Sequence, residues 1–386
     1  MPADVISARA RQIHSSSLVF DTHADTPQRL LFDKFDLGHR DVEGCVDIPR
    51  MREGGIGAIF FALWVPAEIT GQAAMRRASD LLDSVLKQVE EYPADLAIAK
   101  SSADVARARQ ERKIAVMLGI EGGHAINSDL NVLRNFHARG VRCMTLTHNA
   151  ATEWADSSND APRHQGLTDF GKEVVREMNR LGMLADVSHV SDSTFYDVLK
   201  TTRAPVIASH SCCRALCRVP RNLDDEMIRA LAASSGVIHI TFHNAFLSQE
   251  YADASRSLAS ESAERQRAIR EKFGSNEARK LIEGQRWSDE LIRAGKLPQV
   301  SWEKILDHID HAVGLVGADH VGVGSDFDGA FMPAGLADAS KYAAITEGLL
   351  RRGYGEPHIR KILGENTLRV LAEVERVSQM LNGDKA

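Results

Sequence analysis

Short apolar runs, each followed by a segment of helical periodicity, recur along most of the chain. Eight runs show the pattern, at 17–23, 57–64, 114–121, 141–148, 182–189, 204–210, 236–243 and 320–327. They lack the alternation that one solvated face would impose, so they predict strands buried on both faces. Between them lie amphipathic helices. In DLLDSVLKQVEEY the residues Leu81, Leu82, Val85, Leu86 and Val89 form one stripe, and Phe170, Val174, Val175, Met178 and Leu181 form another. The stretch SSAD at 101–104 predicts a capping box at the start of a further helix. Strand and helix alternating eight times at this length predict a (β/α)8 TIM-type barrel. The alternative, an open doubly wound sheet, would gather its polar residues at one or two strand ends, and no G-x-G-x-x-G opens a helix.

The rhythm breaks once. Residues 247–300 read as a charge-rich helical insertion between the seventh and eighth strands. It is either a solvated excursion or a lid or subunit contact over the barrel mouth. From 338 onward the pattern predicts helices that close the barrel, and no linker or low-complexity tract divides residues 1–386, so one domain is expected.

Composition narrows the function classes. Basic and acidic residues nearly balance, 47 against 53, for a net charge of −6. Such a balance excludes the basic excess of a nucleic-acid binder. No run approaches the ~18 apolar residues of a membrane span, and MPADVISARARQIHSSS carries no signal-peptide core. A cytoplasmic protein is expected. Five cysteines, two of them adjacent at 212 and 213, do not make a spaced disulfide framework, so reduced thiols are expected. SCCRALC also lacks the paired C-x-x-C spacing of zinc ribbons.

Titratable residues fall at nearly every strand end: His23 and Asp25, Glu121, His148, His189, His210, His243 and Asp326. Strand side chains alternate between faces, so His23 and Asp25 share one side. Alone, that H-x-D reads first as a strand passing into a polar loop. Together the residues form a ring at the mouth where barrel chemistry sits. Burying so many titratable groups around one axis would cost several kcal/mol each without a compensating cation or mutual pairing. A metal centre resolves the conflict.

FDTHAD, IEGGHAI, TLTHN, DVSH, ASHS, VPRN and GSDFDG, in that order, resemble the zinc-dependent membrane (renal) dipeptidases and their bacterial relatives, among the amidohydrolase-like metal-dependent barrels. The resemblance covers almost the whole chain. It implies two zinc ions per chain bridged by Glu121, with His23 and Asp25 completing one site and His189 and His210 the other. It further implies that His148 reaches the substrate carbonyl, that Asp326 orients a metal-activated hydroxide and carries its proton to the leaving amine, and that Arg221 receives a free C-terminal carboxylate. Asn222 either braces Arg221 beside the substrate or caps the helix before LDDEM, and Asp328 is a turn or supporting residue. The expected activity is hydrolysis of dipeptides.

Another amidohydrolase, acting on N-acyl amino acids or lactams, is the nearest alternative. Many such barrels bridge their metals with a carboxylated lysine, and TLTHN has none. A metal-binding protein without catalysis would not be expected to keep Asp326 and Arg221. Animal members of the family are secreted, disulfide-linked and lipid-anchored. This chain ends in MLNGDKA without a hydrophobic tail, so no membrane anchor is expected, and pairing into a homodimer is left open.

Overall fold

The computed structural model describes residues 5–33 and 35–383. Residues 384–386, on which the expected lack of a C-terminal anchor partly rests, lie outside them. Nine strands form one parallel sheet: β1 (Val19–Ala24), β2 (Ile56–Trp64), β3 (Leu96–Ile98), β4 (Ile114–Glu121), β5 (Val141–Thr145), β6 (Leu184–Asp186), β7 (Ile207–Ser211), β8 (Val237–Ile240) and β9 (Val321–Val323). Eight of them follow the order β1-β2-β4-β5-β6-β7-β8-β9, and a parallel bridge from Ala24 to Phe327 brings the last back to the first. The predicted (β/α)8 barrel is therefore present. β1 and β4 are buried along their whole length, as strands covered on both faces must be.

β3 is the one strand the apolar pattern does not predict. It pairs with β4 over Ile114 to Val116, whereas β5 reaches β4 only from Leu118 onward. A three-residue segment thus covers an edge that the barrel leaves open, and it is too short to carry a hydrophobic period.

The predicted helical stripes lie in the helices Gly71–Glu91 and Asp169–Leu181, whose buried faces include Leu81, Leu82 and Val85, and Val174, Val175 and Met178. Ser101 caps Ser102–Gln110 by accepting from Asp104 N, but Asp104 accepts from Lys100 N, one residue beyond the Ser101 amide that a reciprocal box would use. The 247–300 segment is helical, with Gln249–Ser257, Ala259–Phe273 and Glu277–Arg293. At the other end of the barrel, Asn366 donates to the carbonyls of Ala318 and Val321 and Thr367 meets His239, so the helix Asn366–Gly383 covers the strands' N-terminal ends. Gly364 is required there: a Cβ would lie 2.5 Å from the Leu18 carbonyl oxygen.

No disulfide joins the described cysteines. The thiols of SCCRALC go separate ways, Cys212 to the Thr241 carbonyl, Cys213 to His308 and Cys217 to Ala245, so they form no thiolate cluster. No described helix is long and apolar enough to cross a membrane.

Candidate metal centre

All the predicted strand-end residues meet at the C-terminal mouth of the barrel. Glu121, the last residue of β4, stands at the middle. Its Oε1 lies 3.1 Å from His189 Nε2 and 3.4 Å from His210 Nε2, and its Oε2 lies 3.4 Å from His23 Nε2. Asp25 Oδ2 is 3.7 Å from the same His23 nitrogen. His148 Nε2 stands further off, 4.0 Å from Glu121 Oε1. Candidate ligand triads of the described residues are His23, Glu121 and His210; Glu121, His148 and His189; and His23, Asp25 and Asp326.

Several of these side chains are aimed by backbone that the strand pattern cannot describe. β6 ends at Asp186 and β9 at Val323, three residues before His189 and Asp326. Both functional residues have positive φ, 68° at His189 and 64° at Asp326, a region that non-glycine residues seldom enter. The strand predictions that ran on to His148, His189, His243 and Phe327 are corrected accordingly. Gly329 follows Asp326 because a Cβ there would stand 1.8 Å from Asp25 Oδ2.

The supporting hydrogen bonds separate two kinds of histidine. Ser209 Oγ donates to Asp186 Oδ2 at 2.5 Å and therefore accepts from His210 Nδ1 at 2.8 Å. That leaves a lone pair on His210 Nε2, facing Glu121. Asp186 is itself held by Thr145 Oγ1 and by the Ser188 and Ser209 amides. At His148 the direction reverses. Trp64 Nε1–H donates to His148 Nδ1 at 3.0 Å, so the neutral ring carries its proton on Nε2 and presents a donor to the cavity. Sequence reasoning missed Trp64, Asp186 and Ser209 as functional groups. DVSH and ASHS contain two of them, but their role depends on β6 and β7 being neighbours.

Burial dominates the electrostatics. It lowers His148 to about 4 and His210 to about 3, and takes His189 well below its usual value, so all three are neutral. Burial and the Glu121 charge raise Asp25 to about 6, and burial with the Asp25 and Glu121 charges pushes Asp326 well above the carboxylate range. Burial opposes ionisation of Glu121 too, but His23 and the neighbouring imidazoles outweigh it and hold Glu121 well below its usual value. The donor set fits divalent metal. His23 Nε2 and Asp25 Oδ1 are buried without a hydrogen-bond partner, and the Nε2 atoms of His189 and His210 face each other at 2.9 Å. Imidazole and carboxylate groups converging on Glu121 match the ligand chemistry of a divalent cation.

Arg221 lies in the same cavity of about 270 Å³, with Asp326, Glu121 and His148. It is 4% exposed, donates from Nη2 to the His210 carbonyl at 3.0 Å, and stacks over Phe246 at 5.2 Å. The acidic residues after it are engaged elsewhere, Asp224 with Arg214 and Asp225 with His311. Asn222 is corrected as a helix cap. Its amide donates to the carbonyls of Cys217 and Phe246, so it ties down the floor beneath Arg221 without lining the cavity. The cap of Asp225–Ala233 is Asp224. Asp328 accepts from Thr26 Oγ1 and Cys45 N, the supporting place expected of it. His243 lines the cavity and accepts the Phe331 amide.

A family model described as membrane dipeptidase (peptidase family M19) matches residues 7–385. Dipeptidase 3 of Rattus norvegicus is 32% identical over 371 residues, covering 93% of this chain and 65% of that protein. The chain thus spans just under two-thirds of that curated relative. Among solved structures, the probable dipeptidase PvdM of Pseudomonas aeruginosa is similar with a TM-score of 0.81 and 27% identity, over 96% of this chain and 98% of that one. A metallo peptidase from Rhodobacter sphaeroides, liganded with a phosphinate mimic of the dipeptide L-Ala-D-Ala, is similar with a TM-score of 0.76 and 26% identity, over 93% and 100% of the two chains. With the family model running through the first strand, the mouth and the closing helix alike, the chain belongs to the membrane dipeptidase family, peptidase family M19.

Proposed function

We propose that the protein is a binuclear zinc dipeptidase that cleaves dipeptides with a free C-terminal carboxylate. One observation carries this reading: a buried guanidinium without a carboxylate ion pair among the described residues shares a small cavity with the histidine–carboxylate cluster. Glu121 is suited to bridge two ions, since its oxygens face different histidines. His23 and Asp25 would hold one ion, His189 and His210 the other. Bound there, zinc supplies the Lewis acidity that activates water and polarises a peptide carbonyl.

The chain's own residues account for the rest. Arg221 binds the carboxylate with a fixed fork, which sets the scissile carbonyl one residue upstream at the cluster. A cavity of about 270 Å³ has room for a dipeptide and little more. His148, with its proton on Nε2, donates to the carbonyl oxygen as negative charge develops. Asp326, in the cavity beside Asp25 and Glu121, takes the proton from attacking water and delivers it to the leaving amine. The dipeptide mimic on the Rhodobacter sphaeroides relative supports the substrate class.

Arg221→Met should lower kcat/KM on a dipeptide at least tenfold, the loss of a charge-assisted contact of roughly 1.5 to 3 kcal/mol. Amidating the substrate's C-terminus removes the same contact from the other side, so the two losses should not add. Fully additive losses in the two-by-two cycle, or none in the variant, would place carboxylate recognition elsewhere. N-acyl amino acids assayed beside the dipeptides test the amidohydrolase alternative, whose substrates would then be the better ones.

A further inference from the structure

The helix Glu277–Arg293 is rooted in the insertion after β8 but tied down past β9, on the segment after β1. Arg279 Nε bonds Asp33 Oδ1 at 3.1 Å and its Nη1 bonds Glu43 Oε2 at 2.7 Å, Arg286 pairs with Glu43, and Asn276 Nδ2 donates to Asp33 at 2.9 Å. Between root and ties the helix crosses the loop after β9. Gly284 lets it approach, because a Cβ there would already stand 3.2 Å from the Phe331 ring. One turn earlier on the same face, Leu281 enters the cavity, and among the described residues it is the insertion helices' one contribution to that lining.

The apolar wall that Leu281 completes adjoins Arg221. Phe246 lies beneath the guanidinium and packs edge-on to His243 at 4.5 Å, and His243 meets Phe331. From this arrangement, and resting on the dipeptidase reading above, we infer that Leu281 sets the size of the side chain accepted on the substrate's C-terminal residue. With the carboxylate on Arg221, that side chain has Phe246, His243 and Leu281 around it. The cavity of about 270 Å³ favours a small one. The insertion is thus a latched wall, and Leu281 is a specificity-determining residue that takes no part in the chemistry.

The test compares dipeptides that share an N-terminal residue and end in Gly, Ala or Leu, on zinc-loaded wild type, Leu281→Ala and Leu281→Trp. The readout is the ratio of kcat/KM for the Leu-ending to the Gly-ending dipeptide, which cancels any general loss from a disturbed helix. The ratio should rise about tenfold or more in Leu281→Ala and fall by a similar factor in Leu281→Trp, the scale set by a few methylene groups in a pocket. A ratio within twofold of wild type in both variants, or one that moves the same way in both, overturns the inference. Dipeptide turnover with an unmoved ratio defeats this inference alone; wild type inert toward every dipeptide defeats the activity reading with it.

Discussion

His148 and His210 stand in one cluster and are both held neutral by burial, yet their hydrogen-bond partners give them opposite chemistry. Ser209 accepts the Nδ1 proton of His210 and leaves a lone pair on Nε2; Trp64 donates to His148 Nδ1 and makes Nε2 a donor. The difference is testable one residue at a time. Ser209→Ala should weaken zinc binding roughly 10- to 100-fold, with turnover recovering in excess zinc, because a metal ligand has lost its orienting partner. Trp64→Phe should leave zinc content intact and lower kcat about tenfold or more, with no recovery in excess zinc. Metal analysis beside steady-state kinetics separates the two; zinc loss in Trp64→Phe would make His148 a ligand. Every ligand candidate was legible as a strand-end residue, whereas the tautomers were not. They depend on contacts between residues far apart in sequence, Trp64 with His148 and Asp186 with Ser209.

At the scale of elements, the barrel strands were readable because burial on both faces leaves a continuous apolar run. Their ends were not. Hydrophobicity continues through Leu146, Val187 and Phe327, but the regular strands end at Thr145, Asp186 and Val323, with only scattered backbone hydrogen bonds beyond them, and the chain then turns through His189 and Asp326 at positive φ. Register and turn geometry lie beyond a two-residue period. The insertion was legible as helix, and its charge suggested either a solvated excursion or a lid. Four of its polar contacts reach Asp33 and Glu43, in the segment after β1. Arg279→Ala removes two of these at once. Exposed pairs contribute little singly, but these are partly buried and joined, so the expected result is a raised KM with near-normal zinc content. The effect should diminish for wild type and variant alike as salt rises, since screening loosens the same latch. Unchanged KM would mean that packing, as at Gly284 against Phe331, holds the helix without the ions.

For the molecule as a whole, the two ends of the barrel do different work. The helix Asn366–Gly383 closes one end with Val370, Leu371 and Val374 in an apolar cluster that includes Phe20, Phe60 and Met117. The other end gathers Asp25, Glu121 and Asp326 with four histidines, and burial raises Asp25 and Asp326 above the usual carboxylate range, a cost that cations would offset. Metal bound only by the folded state stabilises it by about 2.7 kcal/mol per site at a free concentration 100 times Kd. In a domain this large each kcal/mol moves the midpoint by roughly 1 to 3 °C, so zinc should raise Tm by about 3 to 8 °C for one such site and more for two. Equilibrium dialysis should find two ions per chain, and chelation should reverse the shift. Glu121→Gln, which weakens both halves of a bridged site, should lose most of the zinc-dependent shift and most bound metal together. If it loses one ion and keeps the other tightly, Glu121 serves a single site. If wild type reaches full activity with one ion per chain, the binuclear reading fails while the dipeptidase reading stands.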